Sequence, residues 1–142
     1  VTAAIGLKQL ERYPGMLERR KEIIAKYDAA LRPLGIKTLE HYTADYESSG
    51  HLYLTFVPGI TPEQRNDIIT KMAELGVACN VHYKPLPMHT AYKNLGFDIA
   101  DYPNAYAHFA NEISLPLHTC LTDEQVDYVI ECYTKVLGEY LK

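Results

Sequence analysis

The sequence has no long apolar run and no surplus of positive charge. No stretch approaches the ~18 consecutive apolar residues that a membrane-spanning helix needs, so we predict no membrane partner. Lysine and arginine number 14 against 18 aspartates and glutamates, which gives a net charge of −4. Nucleic-acid-binding domains carry a basic stripe, and the dense cation run here is Arg19-Arg20-Lys21 alone. We therefore predict no nucleic-acid partner.

Cysteine is scarce as well: Cys79, Cys120 and Cys132 are an odd number without regular spacing. This predicts reduced thiols in a cytoplasmic protein rather than a disulfide framework. His82 and His118 lie near two of them, but no second pair stands at zinc-finger spacing, so we expect no metal site. No third group that would orient a Cys/His nucleophile is identifiable, so the thiols are expected to be structural. The eight glycines are scattered as caps and turns and form no phosphate-binding loop.

What is present is the composition of a globular protein. With 47% hydrophobic and 23% charged residues among 142, the chain is long enough for one domain with its own core. The apolar pattern changes between helical and strand periods. It predicts helices at 1–31 (with a kink or a break at Pro14-Gly15), 61–75, 102–112 and 122–137, and strands at 36–39, 51–57, 77–83 and 113–117.

This order predicts an α+β fold, with a small, three- to four-stranded, mainly antiparallel sheet and helices on one face. We expect strand 113–117 to lie between strands 51–57 and 77–83. In strand 51–57 the side chains alternate between two sides, one with Leu52, Leu54 and Phe56 and the other with His51, Tyr53 and Thr55.

Two helix starts have a specific signature. In "TPEQ" and "TDEQ", Thr61 and Thr122 stand at the N-cap position, and Gln64 and Gln125 at the third helical position. This arrangement is the capping box, in which each side chain bonds the other residue's backbone N–H. Both helices are therefore predicted to begin at these threonines.

The candidate site is the loop "CNVHYKPLPMHTAYKNLG", which continues from strand 77–83. His82, Tyr83 and Lys84 emerge at the strand end, and two prolines stiffen the next few residues. Such a loop offers hydrogen-bonding and stacking groups with little order left to lose. It suits a polar, ring-shaped ligand. The residues alone leave a second interpretation open, in which His82 and the tyrosines only pack against a helix.

Several motifs occur in an order that resembles one enzyme family. These are "HYKPLP", "DYP", "EISLP" and "LTDEQVDYVI", preceded by "VTAAIGLKQLERYPGMLERRKEIIAKYDAAL" and "GHLYLTFV". Together they resemble the C-terminal part of the DegT/DnrJ/StrS sugar aminotransferases, which are dimeric fold-type-I enzymes that use pyridoxal phosphate. The resemblance implies transfer of an amino group from glutamate to a keto nucleotide-sugar, in amino-sugar or cell-surface polysaccharide biosynthesis.

The resemblance also implies which parts of that enzyme are here. The family's cofactor-binding lysine and the aspartate beside the pyridine nitrogen belong to a large domain that precedes these motifs. Residues 1–142 are therefore expected to form a single C-terminal small domain, with 1–31 joining it to the large domain. We expect no catalytic or cofactor-binding residue in this chain, and no bound pyridoxal 5′-phosphate or transaminase activity when it is alone.

Substrate-binding residues carry over from the family's active-site loop onto His82, Tyr83, Lys84 and His89. Two other functions stay open from the sequence: a standalone module that binds a nucleotide-sugar, or a degenerate fragment with a structural role. A final expectation concerns the first helix, whose apolar residues exceed what a small sheet can bury. We predict that it exposes an apolar patch at Val1, Ile5, Leu7 and Leu10, which favours contact with the large domain or a second copy.

Overall fold

A computed structural model describes residues 1–141, so Lys142, the last residue of the predicted domain, lies outside the described residues. The elements are five helices and three short strands among the described residues, and 3-10 turns occur at Arg32–Leu34, Leu86–Met88 and Ile99–Asp101. In chain order they are α1 (Thr2–Leu31), β1 (Lys37–Thr38), β2 (Tyr53–Phe56), α2 (Pro62–Glu74), α3 (Thr90–Lys93), α4 (Pro103–Asn111), β3 (Glu112–Leu115) and α5 (Asp123–Leu137). Within residues 1–141 no helix is both long enough and apolar enough to cross a membrane.

The sheet has three antiparallel strands in the order β1-β2-β3, which confirms the predicted α+β class. The strand predicted at 77–83 is wrong as a strand. It contributes one antiparallel bridge, between Asn80 and Ser114, on the far side of β3 from β2. Side chains take up the next two backbone donors, because Asn80 Oδ1 accepts from Val81 N at 2.8 Å and Glu112 Oε2 accepts from His82 N at 2.8 Å. The pairing of residues 77–83 with β3 therefore stops after one residue pair. As predicted, β3 lies between β2 and residues 77–83.

The β2–β3 register divides the sheet into two faces. Tyr53 lies opposite Leu115 and Thr55 opposite Ile113, and we call this the helix-packed face. The other face, which we call the pocket face, carries the remaining four residues of the two strands: Leu54, Phe56, Glu112 and Ser114. The alternation predicted for β2 is confirmed, but its more deeply buried side belongs to Tyr53 and Thr55.

Helices α1 and α5 cover the helix-packed face, and buried tyrosines link the two layers. Tyr27 of α1 lies 4.8 Å from Tyr53, measured between ring centroids. The hydroxyl of Tyr27 donates to the Pro116 carbonyl at 2.8 Å, and that of Tyr133 of α5 lies 2.7 Å from Thr55 Oγ1. A buried tyrosine hydroxyl without a hydrogen-bond partner would cost stability, and both of these hydroxyls have one.

Helix α1 has two unlike halves. Its C-terminal half is buried through Ile23, Ile24, Tyr27 and Leu31. Its N-terminal half is exposed, as predicted, and its apolar side chains at Val1, Ile5, Leu7 and Leu10 are each more than half accessible. The alternative of two separate helices is wrong, since the helix runs unbroken through Pro14. A proline costs a helix one backbone bond, and in this exposed half water can satisfy the carbonyl that it frees.

Both predicted capping boxes are confirmed. Thr61 Oγ1 accepts from Gln64 N while Gln64 Oε1 accepts from Thr61 N, and Thr122 and Gln125 do the same. Ion pairs then tie α5 to α1, with Arg19 to Asp123 at 2.9 Å. Helix α5 is thereby fixed against α1 as well as against the sheet, which leaves the pocket face for other contacts.

Candidate functional site

The pocket face forms the floor of an open cavity of about 330 Å³. One wall is α4, and the segment after the Asn80 bridge forms the opposite rim. Apolar and aromatic side chains predominate, with one carboxyl and two imidazoles among them. The lining residues are Leu39, Leu54, Phe56, His82, Tyr83, Pro85, Ala105, His108, Phe109 and Glu112.

The wall and floor meet through aromatic contacts. The ring of Phe56 on β2 meets the ring of His108 on α4 edge to face, with centroids 5.1 Å apart. Helix α4 has no buried residue of its own, so it forms a shelf beside the sheet rather than part of the core. A concave, mainly apolar surface with a few convergent polar groups is the usual form of a small-molecule site.

The carboxyl at the floor belongs to Glu112, the first residue of β3, which is only 2% exposed. Its Oε1 accepts a hydrogen bond from Ser114 Oγ, and its Oε2 accepts from the backbone N–H of His82 at 2.8 Å. Burial raises the pKa of Glu112 above its ordinary value, while the two hydrogen bonds and nearby positive charge oppose that shift. Glu112 is thus a buried acid with both oxygens engaged.

The nearest buried cation is Arg65 on α2, which is 3% exposed. Its Nη1 donates to the Phe109 carbonyl at 2.8 Å, and its guanidinium lies 4.7 Å from the Phe109 ring centroid. Burial lowers the pKa of Arg65, and the charge of Glu112 acts in the opposite direction. Arg65 therefore fastens α4 to α2 and partly compensates the buried carboxylate.

Two of the four predicted site residues line the cavity. His82 is half-buried, and its Nδ1 lies 2.7 Å from Ser114 Oγ. Tyr83 is 71% exposed and stands at the mouth, its ring edge to face with that of His82 at 4.7 Å. The peptide bond between them is cis. The structure thus brings His82 and Tyr83 together at the rim.

The other two predicted residues lie on the outer side of the loop. Lys84 is exposed, and His89 is exposed with its Nε2 3.3 Å from the Lys84 carbonyl. Neither belongs to the described residues that line the cavity.

Sequence reasoning missed Glu112, Ser114 and Arg65. The available signals were an acid and a serine two residues apart on a strand, which share a face, and an arginine three residues before Ile68 on an apolar helix stripe. Local pattern assigned Glu112 to the preceding helix and singled out no role for Arg65. Their burial depends on contacts with residues far away in the chain.

The described residues do not fit a covalent pyridoxal phosphate site. A lysine that attacks a carbonyl is activated by a lowered pKa in a desolvated pocket. No lysine among residues 1–141 lines the cavity. Lys71, the most engaged one, pairs with Glu139 and Asp67 on the surface, and hydrogen bonds raise its pKa. In the same part of the chain, no three side chains are grouped to hold a metal.

Comparison with known proteins identifies the family. The model of the DegT/DnrJ/EryC1/StrS aminotransferase family matches residues 1–134. The chain belongs to this family. The resemblance inferred from "HYKPLP" and "EISLP" is therefore confirmed.

The similarity extends to named relatives and to solved structures. The chain is 33% identical over 141 residues to the spore coat polysaccharide biosynthesis protein SpsC of Bacillus subtilis, and 28% identical to a UDP-4-amino-4,6-dideoxy-N-acetyl-beta-L-altrosamine transaminase of Helicobacter pylori. The PLP-form of a putative sugar aminotransferase of Streptococcus pneumoniae superposes with a TM-score of 0.94 at 55% identity.

Coverage of these relatives is partial. The three comparisons include 95%, 99% and 99% of this chain but only 36%, 37% and 36% of the respective relatives. The chain thus spans roughly a third of the DegT/DnrJ/EryC1/StrS aminotransferases that it matches. The part of the Streptococcus pneumoniae structure that matches has the same small α+β fold.

Proposed function

We propose that this chain is the small domain of a pyridoxal-phosphate-dependent aminotransferase that moves an amino group from glutamate to a keto nucleotide-sugar. One observation carries the proposal: the family match covers nearly the whole chain, and the loop with the family's "HYKPLP" motif forms the rim of the cavity. Relatives named as sugar transaminases support a sugar substrate. The name of the Bacillus subtilis relative supports a role in polysaccharide biosynthesis.

Within that enzyme, the pocket face is proposed to receive the nucleotide-sugar. The imidazole of His82 bonds a sugar hydroxyl, and the Tyr83 hydroxyl bonds another while its ring lies along the sugar or base. Lys84, on the exposed side of the loop, pairs with the diphosphate as a point charge. His89 is assigned the outermost contact. The mainly apolar floor excludes water beneath the sugar.

The cofactor belongs, on this proposal, to the part of the enzyme outside this chain, because the lysines described here do not fit it. The chain alone is then expected neither to bind pyridoxal phosphate covalently nor to transaminate. The test is to add the cofactor to the purified chain, reduce with borohydride and map any labelled lysine by mass spectrometry. Stoichiometric labelling of one lysine would overturn this assignment.

The assembly and the location are also proposals. The exposed apolar residues of the first half of α1 supply a surface for the large domain or for the second subunit of a homodimer. The three cysteines are unpaired, which supports the cytoplasm as the location. Sedimentation of the full-length enzyme tests the dimer directly.

The experiment that tests the proposed substrate contact uses the full-length enzyme with His82→Ala and Tyr83→Phe. Each variant loses about one hydrogen bond, so the specificity constant for the nucleotide-sugar should fall a few-fold to about tenfold. Cofactor loading and the half-reaction with glutamate should stay at the wild-type level. Ser49→Ala, at an exposed position outside the cavity lining, is the matched control.

Two results would contradict the proposal. Unchanged kinetics per folded molecule with reduced stability would make His82 a packing residue. Binding of the nucleotide-sugar without turnover by the full-length protein would instead favour the standalone binding module.

A further inference from the structure

Three side chains on the pocket face form a continuous line from the buried floor to the rim. Glu112 Oε1 accepts from the hydroxyl of Ser114, and the same hydroxyl oxygen lies 2.7 Å from Nδ1 of His82. Glu112 Oε2 holds the backbone of His82 at the same time. One acid therefore fixes both the main chain and, through Ser114, the side chain of the rim histidine.

We infer that Glu112 and Ser114 are positioning residues that hold neutral His82 with its proton on Nδ1, so that Nε2 offers a hydrogen-bond acceptor to a hydroxyl of the bound ligand. The hydroxyl of Ser114 has a single hydrogen, which it donates to Glu112. Its contact with His82 must then be one in which Ser114 accepts and Nδ1 donates. A neutral imidazole carries one N–H, so Nε2 is left with a lone pair.

The direction holds for an ionised Glu112, and the two donors that its oxygens receive favour that state. An ionised carboxylate can only accept. The positive charge of Arg65, which is itself buried, favours ionisation as well. A protonated Glu112 would instead donate to Ser114, and the Ser114 hydroxyl would then donate to Nδ1 of His82. The proton of a neutral His82 would in that case be on Nε2.

The rim then presents a hydrogen-bond acceptor, Nε2 of His82, to the cavity. Among residues 1–141 no side chain or backbone group bonds Nε2 of His82, while the ring lines the cavity. An acceptor at this place selects a ligand group that donates, such as a sugar hydroxyl, over a keto or ether oxygen. This selectivity deepens the proposed function and rests on it, whereas the direction of the line of hydrogen bonds does not.

Glu112→Gln provides a sharp test because it keeps the shape of the side chain and should reverse the direction of the hydrogen bonds from residue 112 through Ser114 to His82. The backbone N–H of His82 still needs an acceptor, so the amide oxygen takes the place of Oε2. The amide nitrogen then faces Ser114 Oγ and donates to it, and the hydroxyl turns to donate to Nδ1 of His82. The imidazole proton moves to Nε2.

The measurement is nitrogen NMR of the histidine side chains in the ¹⁵N-histidine-labelled chain at about pH 8, where free imidazole is neutral. The wild type and Ser114→Thr should show a protonated Nδ1 and an unprotonated Nε2 at His82. Ser114→Ala and Glu112→Gln should show the reverse. The exposed His51 and His118, which do not line the cavity, are internal controls and should not change.

Every outcome of the NMR measurement either supports or overturns the inference. A wild-type His82 with its proton on Nε2, or a Glu112→Gln variant that keeps the wild-type state, would overturn the inference. Amide spectra show whether each variant is folded, and if Ser114→Ala is not, Ser114→Thr and Glu112→Gln still give the answer.

Kinetics of the full-length enzyme supply the second readout. Glu112→Gln should lower the specificity constant for the nucleotide-sugar about threefold to tenfold, and it should add nothing in a His82→Ala background, since it acts through that residue. Additive losses would indicate a merely structural effect of Glu112 and would overturn the inference.

The two proposals fail in different ways. If the proton positions agree with the expectation but His82→Ala leaves sugar kinetics unchanged, the proposed substrate contact fails and the hydrogen-bond line stands. If His82→Ala weakens sugar use but the proton positions do not reverse, the contact stands and the inference fails.

Discussion

The two faces of one small sheet differ in how their polar groups are satisfied. On the helix-packed face, Thr55 Oγ1 donates to the Ile113 carbonyl and lies 2.7 Å from the Tyr133 hydroxyl, so the polar atoms close on one another within the core. On the pocket face, the hydrogen bonds of Glu112 and Ser114 lead outward to His82 at an open rim. The same two strands thus stabilise the domain on one side and supply the floor of the open cavity on the other.

The direction of a side chain from the sheet decides whether that residue packs in the core or faces the cavity. Residues two apart on a strand share a face, and neighbours do not. A substitution at Ile113 should therefore act on folding, while one at Glu112 should act on the rim as well. Four experiments test this division.

The largest effect is expected from Ile113→Ala. Ile113 is fully buried on the helix-packed face, so the change should lower the free energy of unfolding by about 2–5 kcal/mol. Leu54→Ala on the pocket face should cost at most about 1.5 kcal/mol, because Leu54 is only partly buried. Urea unfolding followed by circular dichroism measures both. Equal losses would mean that the pocket face is as much a core as the other.

The next effect is a pH dependence at Glu112. Its pKa is raised in the folded state from an ordinary value of 4.5, so the folded chain holds this proton more tightly than the unfolded chain. The contribution to stability is full below pH 4.5 and is lost as the pH rises through the folded pKa, with a slope of at most about 1.4 kcal/mol per pH unit.

Glu112→Gln should remove this slope from the curve of unfolding free energy against pH. Asp123 provides a control of opposite sign, since Arg19 lowers its pKa and its contribution is lost as the pH falls. A wild-type curve parallel to that of Glu112→Gln would show that the carboxyl is not desolvated.

A smaller effect is expected when the hydroxyl of a single tyrosine is removed. Tyr133→Phe removes a hydrogen bond to Thr55 in the core and should cost about 1 kcal/mol of unfolding free energy. Tyr83→Phe at the exposed rim should change stability by less than about 0.5 kcal/mol while it weakens use of the nucleotide-sugar. If the two variants exchanged these effects, the division between the faces would be wrong.

The smallest effect on stability is expected at the exposed end of α1. The double change Ile5→Gln and Leu10→Gln should alter the unfolding free energy by no more than about 0.5 kcal/mol, because both side chains are exposed. It should reduce self-association in sedimentation velocity runs, with the polar change Lys8→Gln as control. A loss of more than about 2 kcal/mol would place these side chains in an internal contact.

Local signals in the sequence predicted what local contacts determine. The capping boxes at Thr61 and Thr122 were predictable because both partners stand three residues apart. That residues 77–83 form only one bridge was not predictable, because the backbone donor of His82 is taken by Glu112, which is 30 residues further along. The same distance explains why the sequence showed His82 as a candidate but not the acid behind it.

We propose that the pocket face, and not the helix-packed face, receives the nucleotide-sugar. The deciding measurement is amide hydrogen exchange of the cofactor-loaded full-length enzyme, with and without the nucleotide-sugar. We expect slower exchange in peptides that cover 82–89 and 105–112, no change in 23–31, and a weaker effect at 82–89 in His82→Ala. Unchanged exchange across 82–89 and 105–112 at a saturating concentration of a sugar that the enzyme turns over would contradict the claim.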